Sequence, residues 1–241
     1  MLIFPAIDLR FGQVVRLSEG DYDRMTVYEA DPLAAARSYR EAGAKWLHAV
    51  DLDAAKDGDQ QNFNGIARLA RESGLRLEVG GGARSEESAR RYLDAGVSRV
   101  ILGTAAVEQP ELMERLAALY PGKIAAGVDA RDGFVAIHGW RTVTDLNAYD
   151  FVRSLPDRGV DTVIYTDISR DGMLSGPNFE AYERLIAVKG LKIVASGGVS
   201  TLDDVKRLAK MGLYAAIIGK AIYAGSIDLK QAIQAAGEAA A

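Results

Sequence analysis

Eight short apolar runs, each ending in Asp, Gly or Ser, set the strongest limit on how this chain folds. They are Leu2 to Asp8, Trp46 to Asp51, Leu75 to Gly80, Arg99 to Gly103, Lys123 to Asp129, Thr162 to Asp167, Lys192 to Ser196 and Ala215 to Gly219. Near-continuous apolar runs rich in Val and Ile read as strands covered on both faces, hence as a parallel sheet. Between them lie amphipathic stretches of helical spacing, among them Pro32 to Ala42, Asn64 to Glu72, Ser85 to Ala95, Pro110 to Leu119 and Thr201 to Met211. Several open on Asp, Ser, Asn or Pro, as helix starts do. Eight rounds of strand and helix in 241 residues predict an α/β fold closed into a (β/α)8 TIM barrel. An open dinucleotide-binding sheet would need Gly-x-Gly-x-x-Gly after the first run, and the sequence lacks it there. With 49% hydrophobic residues a large core can be buried, and a single domain over residues 1–241 is expected.

An internal repeat strengthens the barrel reading. Residues 78–85 can be laid without a gap on residues 194–201, an offset of 116, which pairs Gly81 and Gly82 with Gly197 and Gly198. The same offset pairs Gly43 with Gly159, Asp51 with Asp167, Asn62-Phe63 with Asn178-Phe179, Gly96 with Gly212 and Gly103 with Gly219. Asp8 meets Asp129 at an offset of 121, so a five-residue length difference lies in the loop after the first or the fifth run. Two repeated half-barrels of four units each are predicted. Glycines that recur after helices in any α/β chain explain single matches, but not paired Asp, Asn-Phe and Gly-Gly positions in one register.

In a barrel of this kind the active face is built from the C-terminal strand ends. Gly81 and Gly82, Gly197 and Gly198, and the Gly103-Thr104 and Gly219-Lys220 pairs all fall at such ends. Glycine-rich strand-to-helix turns let backbone N–H groups approach an anion, so two opposed phosphate cradles are expected, suited to the two ends of a bisphosphorylated molecule. For one such cluster a plain tight turn is an equal alternative. Asp8 and Asp129 end the first and fifth runs, opposite each other in the ring, and face across the middle of that molecule as a general acid and base. The stretch from Thr166 to Met173 leaves the sixth run and brings Thr166, Asp167 or Asp171 to the active face; Asp167, like its repeat partner Asp51, also fits a structural capping role. His48 lies within the second run, where a core histidine and a functional one are both open. Arg16 and Arg84 are candidates for phosphate contact or for surface ion pairs. Trp140, in the long loop after the fifth run, is a candidate for stacking on an aromatic substrate or for an exposed hinge.

Composition closes off other chemistry. A net charge of −4 with interspersed signs argues against nucleic-acid binding. The absence of cysteine excludes disulfides and thiolate chemistry, and two histidines suggest no zinc site. The N-terminus lacks a signal-peptide pattern and no run reaches membrane-spanning length, so a cytoplasmic protein without a membrane partner is expected.

Together, Pro5-Ala6-Ile7-Asp8-Leu9-Arg10, Val50-Asp51-Leu52-Asp53, Val79-Gly80-Gly81-Gly82, Gly127-Val128-Asp129-Ala130-Arg131, Thr166-Asp167-Ile168-Ser169-Arg170-Asp171-Gly172 and Ala195-Ser196-Gly197-Gly198-Val199-Ser200 resemble the ProFAR isomerases of histidine biosynthesis, over the whole chain. The resemblance implies an Amadori rearrangement, aminoaldose to aminoketose, of a bisphosphorylated aminoimidazole carboxamide ribonucleotide. It implies Asp8 as proton acceptor and Asp129 as proton donor, with no cofactor, no metal and no obligatory protein partner. A related cyclase has a Cys-Leu-Asp-Val-Lys-like first strand, which Ala6-Ile7-Asp8-Leu9-Arg10 does not match. A dual-substrate isomerase that also takes phosphoribosylanthranilate tends to carry Arg before the Gly-Trp pair of the fifth loop, where this chain has His138. A non-catalytic phosphate-ligand sensor on the same scaffold is the remaining alternative.

Overall fold

The last of the eight runs pairs with the first, and the fifth with the sixth, so the sheet has no free edge in its parallel part. This computed structural model describes residues 1–18, 21–58 and 60–238. In chain order the strands are β1 (Leu2–Arg10), β2 (Gln13–Ser18), β3 (Asp21–Glu29), β4 (Trp46–Asp51), β5 (Arg76–Gly80), β6 (Arg99–Leu102), β7 (Ile124–Arg131), β8 (Phe134–Ile137), β9 (Thr142–Asn147), β10 (Thr162–Asp167), β11 (Lys192–Ser196) and β12 (Ala215–Ile218). The barrel order is β1-β4-β5-β6-β7-β10-β11-β12, all parallel, and β12 returns to β1. The helices are α1 (Pro32–Glu41), α2 (Leu52–Asp57), α3 (Phe63–Glu72), α4 (Glu86–Asp94), α5 (Thr104–Glu108), α6 (Pro110–Leu119), α7 (Ala148–Ser154), α8 (Phe179–Leu185), α9 (Leu202–Lys210), α10 (Lys220–Tyr223) and α11 (Leu229–Glu238).

The alternation of side chains along each strand divides the core in two. Ile3 and Ile7 of β1 point outward with Leu47, Leu77 and Val100 against the helices, whereas Phe4 and Ala6 point into the barrel with Trp46, Ile101, Ile164, Val194 and Ile217. Low in the barrel the interior is filled: Phe4 stacks on Trp46 with ring centroids 5.2 Å apart. Higher up, Ala6, Gly80, Gly103 and Gly127 replace large side chains and leave the upper barrel open. Residue size along the inward face therefore decides where the chain has a floor and where it has a cavity.

Helix starts follow the expected chemistry. Asp31 accepts from Leu33 N at 3.0 Å ahead of Pro32 at the start of α1. Ser85 and Thr201 each form a capping box, with Ser88 on α4 and with Asp204 on α9. Asp51 accepts from Asn62 Nδ2 at 2.7 Å and Asp167 from Asn178 Nδ2 at 2.6 Å, so both carboxylates order the loops behind the strands. Each of these pairs stands 116 residues from its counterpart.

Four antiparallel strands supplement the eight. β1 turns into β2 through Phe11 and Gly12, and β7 turns into β8 through Asp132 and Gly133, all four at positive φ, as two-residue hairpin turns require. Nineteen residues separate Gly12 from α1, against fourteen between Gly133 and α7, so the five-residue difference belongs to the hairpin after β1.

A Cβ at Gly198 would collide with the Gly176 carbonyl, and Gly198 has φ of +86°. Gly122 shares the positive φ, +73°, but faces open space. Gly122→Ala is expected to cost about 1 kcal/mol and Gly198→Ala at least about 2 kcal/mol in urea unfolding. Equal losses would show that the close backbone approach at Gly198 is not a real constraint.

Candidate active site

The C-terminal strand ends surround a cavity of about 270 Å³, of a size for a small molecule. Asp8, Arg16, His48, Gly81, Gly82, Arg84, Gly103, Thr104, Asp129, Trp140, Thr166 and Asp171 line it. Gly197, Gly198, Gly219 and Lys220 line an adjoining recess that shares Arg16 and Asp171 with it. These predicted substrate-contacting and acid–base residues thus meet at one face. Gly81 and Gly82 stand opposite Gly197 and Gly198 across the ring. They need to be glycine for the same reason: a Cβ at Gly81 would strike the Asp51 carbonyl, and one at Gly197 would lie 2.9 Å from the Asp167 carbonyl.

The two aspartates occupy matched positions with unmatched surroundings. Asp8 pairs across the hairpin with Val15, and Asp129 with Ala136. The next hairpin residue is Arg16 in the first case and Ile137 in the second. Arg16 Nη1 donates to Asp8 Oδ2 at 2.9 Å, and its Nη2 lies 3.6 Å from Asp171 Oδ2. The guanidinium lies over Gly219, where a Cβ would come within 3.0 Å of Nη1. Burial opposes the charge on Arg16, but Asp8 and Asp171 outweigh it and hold the group more firmly protonated than usual. Beside Asp8 in the barrel stands Val50; beside Asp129 stands Thr166.

Burial pushes the Asp129 carboxyl above the ordinary aspartate range, against hydrogen bonds from Trp140 and Thr166 that pull the other way, and the Asp171 charge adds to the rise. Asp171 is likewise raised, mainly by burial and further by Asp8, with Arg16 opposing. One carboxylate of the opposed pair is thus ion-paired and the other is biased toward its protonated form. That is the division an acid–base pair needs.

The remaining predicted residues anchor the rim. Lys220 Nζ donates to the Gly172 carbonyl at 2.6 Å and joins the loops after β10 and β12. Arg84 Nη2 donates to the Ala55 carbonyl at 2.7 Å. Trp140 lies at the tip of the β8–β9 hairpin, where His138, Gly139 and Trp140 all have positive φ. His138 turns from the cavity: its N–H donates to Thr104 Oγ1 at 2.9 Å and its Nε2 lies 3.0 Å from Glu108. Asp167 accepts from the Ser169 N–H and from Asn178, in keeping with a capping role.

Tyr22 is a polar cavity residue that the sequence did not reveal. It reaches the rim from β3, donates to the Leu52 carbonyl at 3.0 Å and packs under the Arg10 guanidinium, 5.0 Å from its ring. The available signal was the partial apolar and β-branched pattern of residues 13–29, which fits a hairpin as well as an ordered loop. Among the described residues, no group of three His, Asp or Glu side chains is placed to hold a metal ion, and no helix is long and apolar enough to cross a membrane.

Residues 2–228 match a family described as histidine biosynthesis protein. The chain belongs to that family. Within the histidine biosynthesis family it is similar to proteins named 1-(5-phosphoribosyl)-5-((5-phosphoribosylamino)methylideneamino) imidazole-4-carboxamide isomerase. The protein of that name from Oceanobacillus iheyensis is 47% identical over 97% of this chain and 98% of its own length. The one from Dehalococcoides mccartyi is 48% identical over 96% and 95%, and the one from Picosynechococcus is 47% identical over 98% and 94%.

A buried carboxyl with a raised pKa stabilises the fold fully only below its unfolded pKa, and that contribution is lost as pH rises through the folded value. Asp129→Asn should therefore be at least as stable as the unaltered protein at pH 7.5, with its advantage shrinking as pH falls through the raised Asp129 value and gone below about pH 4. Chemical denaturation at several pH values checks this. An Asn variant that is less stable at pH 7.5 but not at low pH would contradict the assignment of Asp129 as the destabilised carboxyl.

Proposed function

We propose that this chain is the isomerase that converts the bisphosphorylated ribonucleotide ProFAR to its ribulosyl form, an Amadori rearrangement in histidine biosynthesis. The observation that carries this reading is the opposed pair Asp8 and Asp129, one ion-paired to Arg16 and one desolvated, at the two sides of one cavity. Relatives nearly half identical over the full chain bear the name of this isomerase. Asp129 donates a proton to the ribose ring oxygen; the C1′–O bond breaks and the nitrogen lone pair forms the C1′=N bond of a Schiff base. Asp8 then accepts the C2′ proton, and the electrons of that C–H bond give the enolamine, which rearranges to the ketone. The imine itself accepts the electron pair.

The two glycine sets take the two phosphates: Gly81, Gly82, Gly103 and Thr104 on one side, and Gly197, Gly198, Gly219 and Lys220 on the other. Backbone N–H groups at these turns and the cationic Arg84, Arg16 and Lys220 supply the attraction. Trp140 covers the aromatic part of the substrate. The matched Asp–Asn pairs, capping boxes and hairpin turns support descent of the two half-barrels from one repeated unit. We place the enzyme in the cytoplasm, acting on a small molecule without nucleic acid, membrane or an obligatory protein partner.

His138 supports a single substrate, because its side chain engages Glu108 and offers the cavity no cation of the kind the dual-substrate enzymes carry there. Steady-state assay should show turnover of ProFAR and none of phosphoribosylanthranilate. Asp8→Asn and Asp129→Asn should each lower kcat by about 10²- to 10⁴-fold while binding of the ribonucleotide stays within about threefold. Turnover near that of the unaltered protein in either variant would remove that residue from the mechanism; binding of ProFAR without conversion would identify a sensor.

A further inference from the structure

One strongly polar group inside the barrel has no part in the mechanism above. His48, Glu78 and Arg99 are successive neighbours across β4, β5 and β6, each pointing inward. Glu78 is fully buried. Its Oε1 lies 2.7 Å from His48 Nδ1, and its Oε2 accepts from Arg99 Nε at 3.0 Å and Nη2 at 2.6 Å. Arg99 is itself fixed from behind: Nη1 donates to Thr162 Oγ1 at 3.3 Å, and the guanidinium stands 4.6 Å from the Trp46 ring.

A buried ion pair is a poor way to stabilise a barrel, because desolvation cancels much of the attraction. The second half of the chain shows the cheaper solution. At the positions 116 residues on, His48, Glu78 and Arg99 are replaced by Ile164, Val194 and Ala215, which pack together inside the barrel. Barrel packing alone therefore does not call for the polar triple. The geometry is also uneven in a telling way. Arg99 takes only one oxygen of Glu78, and the other is left to His48.

An ionised carboxylate only accepts hydrogen bonds, so the short contact requires a hydrogen on His48 Nδ1; in the neutral ring Nε2 is then an acceptor. Burial opposes ionisation of Glu78, but His48 and Arg99 together hold its carboxyl below the ordinary glutamate range. His48 lines the cavity together with Asp8, Asp129 and Asp171. We propose that Glu78 is a positioning residue, which with Arg99 behind it fixes His48 in the Nδ1–H form and leaves Nε2 as a hydrogen-bond acceptor for a substrate hydroxyl between the two aspartates. The role for the hydroxyl rests on the proposed isomerase reading; the tautomer does not.

The test uses the full chain labelled with 15N-histidine. The protein holds two histidines, so His138→Asn assigns the His48 signals. Long-range proton–nitrogen correlation at pH 8, without ligand, should show a protonated Nδ1 and an unprotonated Nε2 on His48. In Glu78→Gln, whose amide can donate as well as accept, the tautomer should shift or become mixed. With ProFAR, that variant should lose about 10- to 100-fold in kcat, as a misplaced catalytic-site group does, with KM changed less than about threefold. Combining it with His48→Gln should bring no further loss, since the two act as one unit. A His48 protonated on Nε2 in the unaltered protein would overturn the proposal even if Glu78→Gln failed to fold. So would an unchanged tautomer in Glu78→Gln, or additive losses in the double variant. Absence of ProFAR turnover in the unaltered protein would instead count against the isomerase reading and leave the tautomer result to stand.

Discussion

The active face depends on one buried cation. Arg16 holds Asp8 at 2.9 Å, approaches Asp171 and lies over Gly219, so a single guanidinium ties together the ends of β1, β10 and β12. Two carboxylates in so enclosed a space would otherwise repel each other and carry a desolvation penalty without compensation. The cation reaches them because β2 folds back antiparallel on β1 through the Phe11–Gly12 turn. The hairpin is therefore part of the cavity wall and not a decoration of the barrel.

The same construction on the other side of the cavity has the opposite electrostatic result. β8 folds back on β7 through Asp132 and Gly133, and the position that would present a cation presents Ile137, buried in the core. Asp129 is left with uncharged donors from Trp140 and Thr166 and with the influence of His48. Matched hairpins carry the two carboxylates to opposite sides of the cavity, and unmatched side chains give them different surroundings. The same contrast runs deeper in the barrel, where His48, Glu78 and Arg99 stand against Ile164, Val194 and Ala215. Polar groups are concentrated in the first half of the barrel interior, and the matched positions are closed with hydrocarbon.

The eight barrel strands and the principal helices were legible because burial on both faces leaves uninterrupted apolar runs and because helix caps have a fixed chemistry, as at Asp31 and Ser85. Their strand ends placed Asp8, Asp129 and the glycines on one face. The hairpins were harder to see. Thr142–Asn147 is largely exposed and carries little apolar signal, and the run from Gln13 alternates in a way that reads equally as an ordered loop. Tyr22 was hidden with them. Glu78 was visible only as a charge within a strand, since its worth depends on lateral neighbours on β4 and β6 that sequence spacing does not bring together. The difference between Asp8 and Asp129 was equally out of reach, because it turns on the pairing register that sets Arg16 beside one and Ile137 beside the other.

Burial holds the Asp129 carboxyl above the ordinary aspartate range, whereas Asp8 is ion-paired to Arg16. Carboxyl carbon NMR of protein labelled with 13C-aspartate, titrated without ligand and assigned by comparison with the Asp129→Asn spectrum, measures this directly. The Asp129 carboxyl is expected to keep its proton to a pH above the ordinary aspartate range, and Ile137→Lys is expected to lower that titration. An Asp129 signal already ionised within the ordinary range, and indifferent to the charge at position 137, would contradict it.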